Sequence, residues 1–201
     1  MPKTILISGK KRSGKDWTAA AIKSELESLG YSVDIIAFAE PMKDIIATTL
    51  GITPDELEQL LNEPGATVAD KHNTLQYPVV CGDLGRDCTE TDFRQILQQF
   101  GNEAMKKYFG PTVWRDLAIS RINESTADYV IVSDFRMPEE HLHDSISIKI
   151  HSEASSTDTH RSETALADWK FNFTLNNTNH QLTQSQIHEF VNNTLIRKLN
   201  A

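Results

Sequence analysis

Cysteine is almost missing from this chain: Cys81 and Cys88 are the only two in 201 residues. So few thiols exclude a disulfide framework. A zinc centre would want more ligands at tighter spacing than these two and the nearby His72 supply. The pair reads as two reduced thiols. No run of 18 or more apolar residues occurs, which excludes a membrane-spanning helix. Positive charge is in deficit, with 20 Lys and Arg against 28 Asp and Glu and a formal charge of −8. That balance excludes a whole-surface attraction to nucleic acid or to an acidic membrane, although local basic clusters remain able to grip a small anion. The opening stretch, Met1 to Ser8, runs straight into Gly-Lys-Lys-Arg and lacks the layout of a signal peptide, so a cytoplasmic protein is expected. On that expectation the Asn-x-Ser/Thr triplets at Asn123, Asn172, Asn176 and Asn192 are compositional accidents.

What is present is ordinary for a globular chain, 39% hydrophobic and 24% charged residues. The length suits one domain with a real core, carrying helical and loop insertions. Residues 3–8 form a continuous apolar-rich run of the kind that makes a buried parallel strand. Helical spacing follows over 16–29, stopped by Gly30. A strand is expected over 32–38 and a helix over 41–50. Thr53-Pro54-Asp55-Glu56 is a capping box that starts another helix, to about Leu61. Residues 62–90 carry Pro64, Gly65, Pro78, Gly82 and Gly85 and little periodicity, so a long irregular segment is expected there. Helices should run over 91–108 and 112–123. A strand over 129–132 leads into Ser133-Asp134-Phe135-Arg136, with a short helix after Pro138. A strand over 145–150, a polar stretch over 152–168 with almost no apolar anchor, and a strand over 171–175 come next. Thr183 to Gln186 caps a terminal helix to about Leu199. Strands alternating with helices predict an α/β fold with a mainly parallel sheet.

The strongest motif is Gly9-Lys10-Lys11-Arg12-Ser13-Gly14-Lys15-Asp16, which follows a predicted strand and opens a predicted helix. Glycines let backbone N–H groups curl around an anion, and the helix N-terminus adds a partial positive charge. Lys15 would reach the β and γ phosphates as a point charge. Where such a loop carries Ser or Thr after the lysine, this chain has Asp16. Its carboxylate is suited either to hold Mg²⁺, directly or through water, or to cap the helix.

With Asp in that place, the loop resembles that of the deoxynucleoside monophosphate kinases of tailed bacteriophages, especially the T-even type. Further segments fit in order: Pro41-Met42-Lys43-Asp44, Arg94-Gln95-Ile96-Leu97-Gln98-Gln99-Phe100-Gly101, Val132-Ser133-Asp134-Phe135-Arg136, Asp158-Thr159-His160-Arg161-Ser162-Glu163, and a strand ending in Asn176-Asn177. The resemblance spans almost the whole chain, with residues 52–90 least covered. Animal phosphomevalonate kinase shares the Gly-Lys-Asp loop and the Asp-x-Arg segment, while the central Leu-Gln-x-x-Gly stretch and Trp114 favour the phage enzymes. The resemblance implies a P-loop nucleoside monophosphate kinase fold: a single domain over 1–201, with a helical acceptor-binding region over about 40–125 and a lid over about 152–168. It implies transfer of the ATP γ-phosphoryl to a deoxynucleoside monophosphate with Mg²⁺, in the host cytoplasm if the chain is phage-encoded, by a monomer or a homodimer.

The residue types suit that chemistry. Phosphoryl transfer needs positioning and positive charge more than covalent help. Lys15, Arg94, Arg136 and Arg161 are the candidate catalytic cations and Asp134 the candidate carboxylate, at the end of a buried strand where open parallel sheets bind ligands. Donor binding falls to Gly9, Lys11, Arg12, Ser13, Gly14, Lys15, Asp16, Trp17 and Asn176, with the Asn176-Asn177 amides as adenine contacts. Acceptor binding falls to Lys43, Arg94, Trp114, Asp134, Arg136 and Glu163, and the metal to Asp16 and Asp134. Each has a plainer reading: a surface lysine, a capping carboxylate, a core tryptophan, an ordinary turn. Other functions use the same loop, a kinase for phosphomevalonate or dephospho-coenzyme A, or a nucleotide-sensing module without turnover.

Overall fold

The computed structural model describes residues 1–10, 12–62, 96–97, 99–152, 161–178 and 181–200. These fall into two compact units, Met1–Phe38 with Trp114–Ala201, and Ala39–Val113. The first carries all five strands: β1 (Lys3–Gly9), β2 (Val33–Ile36), β3 (Tyr129–Val132), β4 (Ile146–His151) and β5 (Phe173–Asn176). They form one parallel sheet in the order β2-β3-β1-β4-β5. The central strands are buried on both faces, which is why they read as unbroken apolar runs. All of Tyr129–Val132 is buried, as are Ile5, Leu6 and Ile7.

Alternation of side chains across the sheet assigns partners to those residues. Ile5 and Ile7 share a core with Ile131, Ile148 and Ile150, with Ile22 and Leu26 of helix α1 (Lys15–Ser28), and with Ile187, Val191 and Leu195 near the C-terminus. Each fully buried Leu or Ile of this set contributes roughly 1.5–3 kcal/mol by leaving water. α1 ends in a Schellman turn: Gly30 N–H donates to Glu27 C=O at 2.9 Å and Tyr31 N–H to Leu26 C=O at 3.2 Å. Gly30 has φ +88° there, a conformation that the absence of a Cβ permits.

The second unit holds α2 (Glu40–Leu50) and α3 (Pro54–Asn62), then a π-helical segment Gln99–Met105 that passes into α4 (Lys106–Phe109). The capping box is formed: Thr53 N–H donates to Glu56 Oε2 at 2.8 Å and Glu56 N–H to Thr53 Oγ1 at 3.2 Å. Ile46, Ala47, Leu57 and Leu60 make its core, with Met42, Ile96, Leu97 and Phe100 packed against it. Helix α5 (Val113–Glu124), which belongs to the first unit from Trp114 onward, buries Trp114, Ala118 and Ile122. A short helix α6 (Arg161–Thr164) precedes β5. The terminal helix runs as α7 (Gln184–Phe190), a π-helical stretch Val191–Leu195, and α8 (Ile196–Leu199).

Several expectations need correction. The strand expected over 32–38 covers only Val33–Ile36, because the N–H of Phe38 donates to Asp134 Oδ1 at 2.7 Å instead of to a neighbouring strand. The last strand starts at Phe173 rather than 171, because the Asn172 side chain takes the N–H of Ser147 at 2.8 Å and stands where a ladder bond would form. The helix expected over 91–108 turns π-helical from Gln99, a shift of one residue in periodicity that spacing does not reveal. The stretch 152–168 is anchored after all, since it contains α6 and the buried Leu166. Residues 63–95, with the irregular segment, Cys81, Cys88 and the start of that helix, lie outside the described residues, as do 153–160.

Candidate phosphate-binding loop

β1 delivers the chain to the carboxyl end of the sheet, and the loop from Gly9 to Gly14 turns it into α1. Arg12 and Gly14 both adopt the left-handed region, φ +62° and +87°, and Ser13 N–H donates to Lys10 C=O at 3.1 Å. Successive N–H groups in such a turn line a concavity that suits an anion. Gly14 occupies the N-cap of α1, and no side chain caps that helix. Its leading N–H groups are therefore available to an anionic ligand, with the helix dipole adding favourable potential. Thr18 donates both its N–H and its hydroxyl to Gly14 C=O, each at 2.9 Å. That hydroxyl is fully buried, so it cannot stand in for the Ser or Thr that Asp16 replaces.

Both motif glycines are required by close approach. A Cβ on Gly9 would lie 2.4 Å from Ser13 Oγ and 3.1 Å from Ile150 C=O, and one on Gly14 would lie 2.4 Å from Asn177 Nδ2. Ser13 itself is 1% exposed, and its Oγ is buried without a hydrogen-bond partner among the described residues. An orphaned hydroxyl inside a loop of this shape fits a site that accepts a further polar group. Lys15 is mostly buried along its stem, with its ammonium 3.4 Å from Asp16 Oδ2. The Asp16 carboxylate is 77% exposed, and Trp17 beside it leaves 45% of its surface in solvent. Lys11 lies outside the described residues.

The loop after β3, hydrogen-bonded neighbour of β1, carries the second group of predicted residues. Asp134 is the second residue after the strand, and its Oδ1 accepts the Phe38 N–H, so this carboxylate also ties down the chain just past β2. Phe135 is fully buried and its N–H donates to Ile7 C=O at 3.0 Å. Arg136 follows. Its N–H and that of Met137 both donate to Glu140 Oε2, at 2.8 and 2.9 Å. Glu140 is 8% exposed, on a turn of 3₁₀ helix, Pro138–Glu140. Arg161 opens α6, and its guanidinium lies 3.4 Å from Glu139 on the same turn, which brings α6 to the Asp134–Arg136 loop.

Behind that loop is an aromatic cluster. Phe135 meets Trp169 edge-on at 5.5 Å, and His141 lies 5.1 Å from Trp169. Burial there, and to a lesser degree the charge of His143, pushes the His141 imidazole below its ordinary value.

The remaining predicted residues are placed as follows. Asn176 Oδ1 accepts from the N–H and hydroxyl of Thr178, closing an Asx turn. Trp114 is 5% exposed, in the buried stripe of α5, and offers almost no surface for stacking. Lys43 forms an ion pair with Glu58 that ties α2 to α3 within the second unit. Arg94 lies outside the described residues, and the Glu163 side chain is likewise not described. Among the described residues no group of three His, Cys, Asp or Glu side chains stands ready to hold a metal. Of the two carboxylates predicted for Mg²⁺, Asp16 is exposed at the start of α1 and Asp134 accepts the Phe38 N–H.

Two residues matter in ways that sequence reasoning did not foresee. Glu140 secures the Asp134–Arg136 loop, and an acid three residues after Met137, following Pro138, was the available signal. Asn177, expected with Asn176 as an adenine contact, is 4% exposed and donates through Nδ2 to Ser13 C=O at 2.8 Å. Nothing in a lone Asn-Asn pair signals that role. No protein-family model matches the chain, and no curated protein matches it either.

Proposed function

We propose that this protein is a deoxynucleoside monophosphate kinase, transferring the γ-phosphoryl of ATP to the 5′-phosphate of a dNMP to give a dNDP and ADP. The observation that carries this reading is the loop between β1 and α1. It has two left-handed residues, an uncapped helix N-terminus, a buried unpartnered Ser13 hydroxyl, and Lys15 at the first helical position. The all-parallel order β2-β3-β1-β4-β5, with this loop after the central strand, supports a P-loop kinase fold.

Each part then has a task. The N–H groups at the start of α1 and the Lys15 ammonium bind the β and γ phosphates of the donor. Asp134, in the turn after the strand that pairs with β1, and Asp16, at the start of α1, would hold Mg²⁺, which neutralises phosphate charge when bound. Arg136 lies in the turn after β3, Arg161 of α6 pairs with Glu139 of that turn, and planar guanidinium groups suit phosphate oxygens. An oxygen of the acceptor phosphate forms the new bond to the γ-phosphorus as the bond to the ADP oxygen breaks. The acceptor phosphate is already ionised at neutral pH, so no general base is needed. Lys43, Arg94, Trp114 and Glu163 enter on the acceptor side through the sequence resemblance alone.

The test is ADP release from ATP and Mg²⁺ by the purified protein, with dGMP, dTMP, dCMP, dAMP, a ribonucleotide, phosphomevalonate, or no acceptor. Turnover with one or more deoxynucleotides, abolished by Lys15→Ala, is expected. Turnover only with phosphomevalonate, or ATP binding that no acceptor converts into ADP release, overturns the proposal.

A further inference from the structure

Asn177 is held at three points. Its N–H donates to His151 C=O at 2.7 Å, its Oδ1 accepts the Leu182 N–H at 2.9 Å, and its Nδ2 donates to Ser13 C=O at 2.8 Å. The Leu182 bond fixes which end of the amide is oxygen, so the donor end must face Ser13. All of this is buried, and Asn177 lies 164 residues from its partner in sequence.

The consequence lies in the geometry of one peptide unit. The Ser13 carbonyl and the Gly14 N–H belong to the same planar trans peptide, in which C=O and N–H point in opposite directions. Holding the carbonyl toward Asn177 therefore holds the Gly14 N–H away from it. Gly14 presents its Cβ side to the same amide, 2.4 Å from Nδ2, which explains why no side chain is tolerated there. We infer that Asn177 is a positioning residue for the donor site: by fixing the Ser13–Gly14 peptide it aims the Gly14 N–H at the bound polyphosphate.

The inference rests on the phosphate-loop reading, and it makes Asn177 act through the loop rather than on the nucleotide base. Without the amide, the Ser13 carbonyl loses its buried donor and the peptide is free to turn. An acceptor oxygen facing the anion in place of a donor would then repel it. Asn172 provides a matched control, since its Oδ1 accepts from the N–H and hydroxyl of Ser147, at 2.8 and 3.1 Å, at the opposite end of β4.

The experiment measures binding of MgATP and of inorganic tripolyphosphate to the full chain by calorimetry, for wild type, Asn177→Ala and Asn172→Ala. The kinetic split follows from the dNMP assay. Asn177→Ala should weaken both ligands by roughly tenfold or more and leave the KM for the acceptor unchanged, while Asn172→Ala keeps wild-type affinity. Equal affinity of wild type and folded Asn177→Ala overturns the inference and leaves the phosphate-loop reading standing. Failure of the wild type to bind either ligand overturns that reading, and the inference falls with it. Should Asn177→Ala not fold, amide NMR of the wild type decides. The Gly14 N–H resonance must move downfield on addition of tripolyphosphate, and an unmoved resonance overturns the inference.

Discussion

Gly9 lies so close to Ser13 that a Cβ on it would sit 2.4 Å from the serine hydroxyl, with the Ile150 carbonyl 3.1 Å away. The backbone of β4 and the floor of the loop thus leave no room for a methyl group. Gly9→Ala should lower stability by about 2 kcal/mol and abolish ATP binding, because the loop must shift to admit the side chain. Gly30→Ala has open space around it and only the positive φ to overcome, so about 1 kcal/mol is expected, with ATP affinity intact. Urea unfolding and calorimetric titration of the two variants check the pair.

Glu140 accepts two backbone N–H groups through one carboxylate oxygen, at 2.8 and 2.9 Å. Glu140→Ala leaves the Arg136 and Met137 N–H groups without that acceptor at the turn that carries Asp134 and Arg136. A loss of roughly 2–3 kcal/mol is expected, together with a lowered kcat, from the penalty for unmet buried donors. Unfolding and steady-state kinetics on the same preparation measure both.

The pairing of Lys43 with Glu58 allows a structural role to be separated from acceptor binding. Both partners are partly exposed, so breaking the pair should change stability by less than about 1 kcal/mol from either side. If Lys43 binds the acceptor phosphate, Lys43→Ala raises the KM for dNMP by roughly tenfold or more while Glu58→Ala does not. Equal kinetic effects from the two variants would reduce Lys43 to a strut between α2 and α3.

His141 makes stability depend on pH. Its folded pKa is pushed below the ordinary value of 6.5 by burial against Phe135 and Trp169 and, secondarily, by His143. As pH falls through that ordinary value the unfolded chain takes up a proton that the folded ring resists, so the unfolded state gains and stability drops. The contribution is fully present above the unfolded pKa and is lost as pH falls toward the folded one. His141→Gln should therefore lose less stability than the wild type between about pH 7.5 and 5.5, measured by urea midpoints.

The parallel strands were legible because burial on both faces demands unbroken apolar runs such as Lys3–Gly9 and Tyr129–Val132. The capping boxes at Thr53 and Thr183 were legible because each is a local exchange of hydrogen bonds over three residues. Strand ends were not. β2 stops where Asp134, 96 residues beyond Phe38, takes a backbone donor, and β5 starts late because Asn172 reaches Ser147, 25 residues back. Trp114, a candidate for base stacking in the sequence, lies in the buried stripe of α5, since spacing alone does not tell which face of a helix is covered.

By itself the sequence determined the alternation of strands and helices, the glycine loop after the first strand, and the chemical types gathered around it. These follow from local periodicity, capping and backbone freedom, which neighbours along the chain set. The tertiary structure alone decided the order in which strands pair, and that Glu140 reaches two backbone N–H groups of the turn after β3. It also decided that Asn177 meets the loop at Ser13. Those outcomes depend on which unmet backbone group each buried side chain reaches. That is a matter of distance in the folded chain, on which separation along the sequence has no bearing.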